Sequence, residues 1–332
     1  MLNLPSDFIS TIANTFGEDG EAFIANLPAL IDEASQRWGL TNIQPVSNLS
    51  YNFVAFAESP SPYGRGVRGE VVLKIGVPRD ELTSEMSALR LFNGEGACRL
   101  IDCNEENGFL LLERLRPGVM LSTLEDDEEA THIAAEAMKR IWRPLELVTL
   151  SDSEGSLPQS QRLFAAERLR VTYSKFILLS DWFDGLKRLR ETFDGGTGPL
   201  DEKLVARVEG SVKDFFIENH KPVLMHGDFH HFNILSSERG WLVIDPKGVI
   251  GPAGYEAGLL MINPWGSLLS GINFRSRMKR RIDILHEHLG FERERIHEWT
   301  LAHAILSAWW GIEDNTGWED ALEFARMIAD LK

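Results

Sequence analysis

From His226 to Asp245 the chain reads His226-Gly227-Asp228-Phe229-His230-His231-Phe232-Asn233, then an apolar run, a polar turn and a second apolar run ending on Asp245. Asp228 offers a carboxylate able to orient a hydroxyl and accept its proton, while Asn233 and Asp245 offer the hard oxygen donors that Mg²⁺ takes. Transfer of a phosphoryl group from ATP needs those functions and little covalent chemistry from the protein. The residue types and their order predict Asp228 as the catalytic base, with Asn233 and Asp245 holding the metal. The competing reading is that histidine, aspartate and asparagine crowd one loop only to hydrogen-bond the backbone of a turn. His226 and His230 are expected to hold the loop in shape rather than transfer protons, and His231 receives no role.

The elements that must position these groups follow from pattern. Lys221-Pro222-Val223-Leu224-Met225 is a short apolar segment that delivers His226-Gly227-Asp228 to a loop. Ile234-Leu235, the turn from Ser236 to Gly240 and Trp241-Leu242-Val243-Ile244 predict a hairpin that sets Asn233 and Asp245 side by side at one end. Upstream, apolar residues at helical spacing predict a helix over Glu21–Trp38, with Gly39 as its C-cap. Short Val-, Phe- and Tyr-rich runs from Ile43 to Ile75, with polar turns at Ser47–Asn52 and Ser59–Gly64, predict antiparallel strands. A helix over Glu81–Phe92 and a strand within Gly108–Arg114 complete a first lobe, 1–115. The second lobe, 116–332, is α-rich, with helices expected near 128–140, 161–179, 200–219, 275–289 and 295–310. The acidic run Glu125–Glu129 and the loop Gly195–Gly198 are expected to be solvated. Trp299, Trp309, Trp310 and Trp318 are expected in the core.

His226-Gly227-Asp228-x-His230-x-x-Asn233, followed by an apolar strand and Asp245, resembles the catalytic and metal-binding segment of aminoglycoside phosphotransferases and related protein-kinase-like enzymes. Ile244-Asp245-Pro246-Lys247-Gly248, with Tyr255-Glu256 and Ile262-Asn263-Pro264, resembles more narrowly the streptomycin 6-kinase and hydroxyurea kinase branch. The resemblance implies an α+β, protein-kinase-like two-lobed fold, with an antiparallel β-sheet N-lobe and a mainly helical C-lobe, and ATP with Mg²⁺ as cofactors. It implies that Lys74, the one charge in Val71-Val72-Leu73-Lys74-Ile75, holds ATP phosphates and is oriented by Glu85 on the following helix, with Glu81 the alternative. No Gly-x-Gly-x-x-Gly precedes Lys74; the segment Ser47–Asn52, with Ser47 and Asn48, occupies the corresponding place and is either a phosphate-contacting turn or a plain polar β-turn. The linker Leu112-Glu113-Arg114-Leu115 would offer backbone groups to adenine through Glu113 and Leu115. Glu256 resembles a residue that buttresses the catalytic loop, although Gly251-Pro252-Ala253-Gly254-Tyr255-Glu256 departs from the usual Gly-Asp-Pro-x-Tyr-Asp. Lys247 is either a solvated loop lysine or one that faces phosphate or acceptor, and is not counted as catalytic. Glu313 and Asp314 are candidates for lining an acceptor cleft. The acceptor that the resemblance implies is a hydroxyl of a small molecule, such as streptomycin or hydroxyurea. An amino sugar or choline-like alcohol is the alternative, and a nucleotide-binding regulator without turnover a further one.

Composition narrows the partners. The 332 residues carry 50 acidic against 34 basic side chains, a formal charge of -16, which disfavours nucleic acid and anionic membrane and slightly favours a cationic acceptor. Cys98 and Cys103 form neither a disulfide framework nor a metal site. No stretch approaches about 18 consecutive apolar residues and Met1–Ser10 lacks an export pattern, so a cytoplasmic protein, monomeric or homodimeric, is expected.

Overall fold

A computed structural model describes residues 4–60, 69–144, 175–217, 221–264 and 273–331. The backbone divides into two compact units, Met1–Gly118 and Val119–Lys332.

In the first unit, five antiparallel strands form one sheet: β1 (Thr41–Pro45), β2 (Phe53–Ser59), β3 (Gly69–Ile75), β4 (Leu100–Asn104) and β5 (Phe109–Glu113), in the order β1-β2-β3-β5-β4. Strand alternation sorts β3 into two faces. Val71, Leu73 and Ile75 are fully buried and pack with Phe53, Ala55, Phe109 and with Phe8, Ile12, Phe23 and Leu27 of helices α1 (Ser6–Phe16) and α2 (Glu18–Trp38). Lys74 lies on the other face, opposite Val54 and Leu110 of the neighbouring strands. There it meets α3 (Asp80–Phe92), whose buried positions include Glu85. Helix α1 goes beyond the sequence reading, although Phe8, Ile9, Ile12 and Phe16 stand at helical spacing.

The second unit begins within β6 (Pro117–Met120), where the Val119 N–H donates to Ser236 Oγ at 3.0 Å. β6 joins the predicted hairpin, β10 (Ile234–Ser237) with β11 (Gly240–Val243), in a three-stranded sheet, and Ile234 faces Val243 across the hairpin. A second small sheet has the order β7 (Arg143–Pro144), β9 (Val223–Met225), β12 (Val249–Gly251), β8 (Ile177–Leu178). Most of the remaining described residues are helical. Helix α4 (Asp127–Ile141) starts where Asp126 caps the N–H groups of Glu128 and Glu129. α5 (Leu179–Phe183), α6 (Gly185–Thr192), α7 (Glu202–Ile217), α8 (Gly254–Met261), α9 (Phe274–Leu289), α10 (Arg293–Glu313) and α11 (Glu319–Ala329) follow. Helix α10 is buried on most of its circumference and packs against α7, α8 and α11. Its crossing with α8 needs Gly258, since a Cβ there would stand 2.5 Å from the Trp299 carbonyl carbon.

Most of the helix expected at 161–179 and part of the Ser59–Gly64 turn lie outside the described residues. Residues 177–178 are a short strand rather than a helix end, because Val249 and Ile250 pair with them in parallel. Two expectations need correction. Trp299 and Trp309 are core residues, but Trp310 and Trp318 are only half-buried, near the end of α10 and at the start of α11. Within the acidic run, Asp127 is not solvated: it is half-buried and ion-paired with Arg281 of α9, which is 1% exposed.

Candidate active site

In the first unit, the Lys74 ammonium lies 2.7 Å from both carboxylate oxygens of Glu85. Lys74 is 2% and Glu85 6% exposed, so the pair is a buried, two-pronged contact between β3 and α3. Burial of this kind is tolerated only because each charge answers the other. Glu81, the alternative, is exposed one turn earlier. Ser47 and Asn48 form an exposed turn between β1 and β2. Glu113 closes β5, with one carboxylate oxygen accepting from the Arg99 N–H at 3.0 Å, and Leu115 is buried just beyond it.

In the second unit, His226, Asp228, Asn233 and Asp245 gather at the open end of the β10–β11 hairpin. The Ile244 N–H donates to Asn233 O at 3.0 Å, which aligns the residue before Asp245 with Asn233. His226 is fully buried and bridges the two sides. Its Nδ1 accepts from the Asp228 N–H at 3.1 Å, which assigns the proton to Nε2, and Nε2 lies 2.7 Å from the Ile244 carbonyl. Burial pulls the His226 pKa down to about 4 against the opposing charge of Asp228, so the ring is neutral at neutral pH.

The Asn233 amide nitrogen donates to the Asp228 carbonyl at 3.1 Å and lies 3.2 Å from His230 Nε2. That use of the nitrogen leaves the side-chain oxygen without a protein donor among the described residues, the disposition a hard cation needs. Asp245 adopts φ 56°, a left-handed conformation that aspartate tolerates better than most residues. Asn233 and Asp245 thus supply oxygen donors of the kind that suits Mg²⁺.

Burial pushes the Asp228 carboxyl up, but the contact with His230 and the positive charge around it outweigh that and hold the group below the usual carboxylate range. His230 Nε2 lies 3.5 Å from Asp228 Oδ2. Asp228 is half-exposed, so an acceptor hydroxyl can reach an ionised oxygen.

Glu256 stands behind this loop, wholly buried on α8. One oxygen accepts from the Gly227 N–H at 2.9 Å and the other from Trp142 Nε1 at 2.6 Å. Burial raises its pKa to about 7 in spite of those donors. The departure from the usual local motif has not removed this buttress.

Sequence reasoning passed over several residues. Trp142 carries no polar pattern that would mark it as a partner for Glu256. The Tyr255 hydroxyl meets His303 Nδ1 at 2.9 Å, and both are buried. A cavity of about 430 Å³ lies on the His231 and Phe232 side of the loop, with Glu125, Asp127, Arg277 and Arg281 among its lining residues. His231 is 2% exposed, and neither ring nitrogen has a partner among the described residues. Only spacing across distant helices would have joined it to Asp127 and Arg281. Glu313, an acceptor-cleft candidate, is ion-paired with Arg188 at 2.6 Å, and Asp314 is exposed after α10.

The sequence model described as aminoglycoside/hydroxyurea antibiotic resistance kinase matches residues 64–315. The chain is 30% identical to a streptomycin 6-kinase of Streptomyces glaucescens over 321 residues, covering 95% of this chain and 93% of that protein. It is 27% identical to a hydroxyurea phosphotransferase of Kitasatospora aureofaciens over 316 residues, 95% of this chain and 82% of that one. Among solved structures, a choline/ethanolamine kinase family protein from Mesorhizobium loti aligns with TM-score 0.59 at 13% identity, covering 91% of this chain and 95% of that one. A thermostable mutant of the aminoglycoside phosphotransferase APH(4)-Ia, in a ternary complex with ADP and hygromycin B, aligns with TM-score 0.53 at 12% identity, covering 90% and 96%. These likenesses at low identity establish the protein-kinase-like fold.

Proposed function

The chain belongs to the aminoglycoside/hydroxyurea antibiotic resistance kinase family and is a small-molecule phosphotransferase, and on that premise we propose that it moves the γ-phosphoryl group of ATP to a hydroxyl of streptomycin, a related aminoglycoside or hydroxyurea. The observation that carries the residue roles is the convergence of Asp228, Asn233 and Asp245 at one end of the β10–β11 hairpin.

In this reading Asp228 orients the acceptor hydroxyl and takes its proton. The low pKa of Asp228 keeps it ionised and ready, and a weak base is sufficient because phosphoryl transfer depends chiefly on positioning and charge neutralisation. Asn233 and Asp245 would hold Mg²⁺, which when bound neutralises phosphate charge. Lys74, oriented by Glu85, pairs with ATP phosphate oxygens. His226 and Glu256 fix the backbone on either side of Gly227 and so set the direction of the Asp228 carboxylate. Ser47 and Asn48 would contact phosphates, and the backbone of Glu113 and Leu115 would contact adenine.

Incubation of the purified protein with MgATP and, separately, streptomycin, other aminoglycosides, hydroxyurea, amino sugars and choline tests this. Mass spectrometry should find one added phosphate on an aminoglycoside or on hydroxyurea. Product only from choline or an amino sugar would replace the acceptor class, and no product from any acceptor would reject the reading.

A further inference from the structure

Lys247 occupies a turn that is pinned to the catalytic loop. The N–H groups of Lys247 and Gly248 both donate to the His226 carbonyl, at 2.7 and 3.2 Å. One residue further, Val249 pairs with Met225 in the antiparallel contact of β12 with β9. The two segments are pressed together so closely that residue 227 must be glycine. Its φ is +84°, and a Cβ there would collide with the Val249 side chain and stand 3.3 Å from Lys247 Cβ. The Lys247 side chain therefore starts beside the residue that precedes Asp228.

The charge balance of the loop asks for a cation. ATP and the carboxylates of Asp228 and Asp245 together carry more negative charge than Mg²⁺ and a Lys74 already paired with Glu85 would offset, and the His226 nitrogens are spent on backbone. Across 226–256 the only other lysine or arginine is Arg239, in the turn at the far end of the hairpin. A lysine whose backbone is anchored to the catalytic loop and whose side chain is half-buried beside it can present its ammonium where charge develops in a transition state.

We propose that the Lys247 ammonium is a further catalytic group, holding a non-bridging oxygen of the γ-phosphoryl group as that group crosses from ATP to the acceptor. The assignment rests on the phosphotransfer reading above. In the step, the acceptor oxygen bonds to the γ-phosphorus while the bond from phosphorus to the β,γ-bridging oxygen breaks. The hydroxyl proton goes to Asp228, and the electron pair leaves with ADP. Lys247 makes and breaks no covalent bond; its contact tightens as charge collects on the non-bridging oxygens.

The test compares wild type, Lys247→Met and Lys247→Arg with MgATP and whichever acceptor the wild type phosphorylates. Lys247→Met should lower kcat about a hundredfold, the scale of losing one preorganised charge-stabilising donor, while the KM for ATP changes less than about threefold. Lys247→Arg should recover at least about tenfold of that loss. Calorimetry supplies a readout that a structural role would not move: MgADP should bind Lys247→Met as it binds wild type, whereas MgADP with aluminium fluoride and acceptor should bind at least about tenfold more weakly. A fall in kcat below about thirtyfold, or one matched by an equal loss of MgADP affinity, overturns the assignment. Absence of product from the wild type overturns the phosphotransfer reading itself, and this proposal with it.

Discussion

The Asp228 N–H donates to Nδ1 of His226 at 3.1 Å, and the opposite nitrogen of the same ring lies 2.7 Å from the Ile244 carbonyl. One buried imidazole thereby couples the backbone of the proposed base to the strand end that precedes the proposed metal ligand Asp245. His226→Ala would leave a buried donor and a buried acceptor without partners, at about 1–3 kcal/mol each. The expected outcome is a stability loss of about 3 kcal/mol by urea unfolding, with kcat reduced at least about tenfold. The ring also sets an acid limit. Its folded pKa, about 4, lies below the ordinary value of 6.5, so its contribution is fully present above about pH 6.5 and is lost as pH falls towards 4. His303, also held at about 4, adds to the same limit. The stability gap between wild type and His226→Ala should therefore shrink as pH falls from 7 to 4.5, and a gap that stays constant would contradict the acid limit.

Asp245 separates conformation from ligation. Its φ of 56° is accessible to asparagine but costs alanine about 1–2 kcal/mol. Asp245→Asn should therefore melt like wild type yet need far more magnesium for half-maximal turnover, and Asp245→Ala should lose both stability and turnover. An unchanged magnesium requirement in Asp245→Asn would remove this residue from the metal site.

Glu256 makes a prediction of opposite pH sign. Its folded pKa, about 7, lies above the ordinary 4.5, so the stability it contributes is fully present below about pH 4.5 and is lost as pH rises through 7. Glu256→Gln keeps the acceptor for the Gly227 N–H but turns an N–H₂ towards Trp142 Nε1, so it should be less stable than wild type at pH 5. As pH rises to 8 that deficit should shrink by about 3 kcal/mol, because only the wild type must bury a charge. Denaturant titrations at pH 5, 6, 7 and 8 would show this, and a pH-independent gap would rule it out.

The Lys74–Glu85 pair is expected to matter more when broken than when replaced. Glu85→Ala strands an ammonium that is 2% exposed, at about 3–5 kcal/mol. The double variant Lys74→Met/Glu85→Met should regain most of that stability while remaining inactive, with MgATP affinity lost. Equal stability of wild type and Glu85→Ala would show that the lysine finds another partner.

Much of this site can be read from the chain because its parts are local. Asp228, Asn233 and Asp245 lie within twenty residues, and the hairpin between them carries its own turn signal from Ser236 to Gly240. Lys74 is conspicuous as a single charge in an apolar strand. Glu85 was separable from Glu81 only by helix phase, and burial on α3 decides it. The Glu256–Trp142 and Tyr255–His303 contacts join residues 114 and 48 positions apart, and nothing in their immediate neighbourhoods encodes the partner. The same is true of the His231 cavity, where Asp127 and Arg281 meet across 154 positions. Helices α8 and α11 escaped for a related reason: α8 is buried all round, so periodicity fails, and α11 follows a half-buried tryptophan instead of a clear cap.

The most direct measurement is turnover of Asp228→Asn in saturating MgATP with the acceptor that wild type phosphorylates, alongside nucleotide affinity by calorimetry. The account predicts a kcat lower by about 10²–10⁴, the usual worth of a positioned general base, with MgATP affinity within about twofold of wild type. Turnover equal to that of wild type would contradict the assignment of Asp228 and the mechanism built on it.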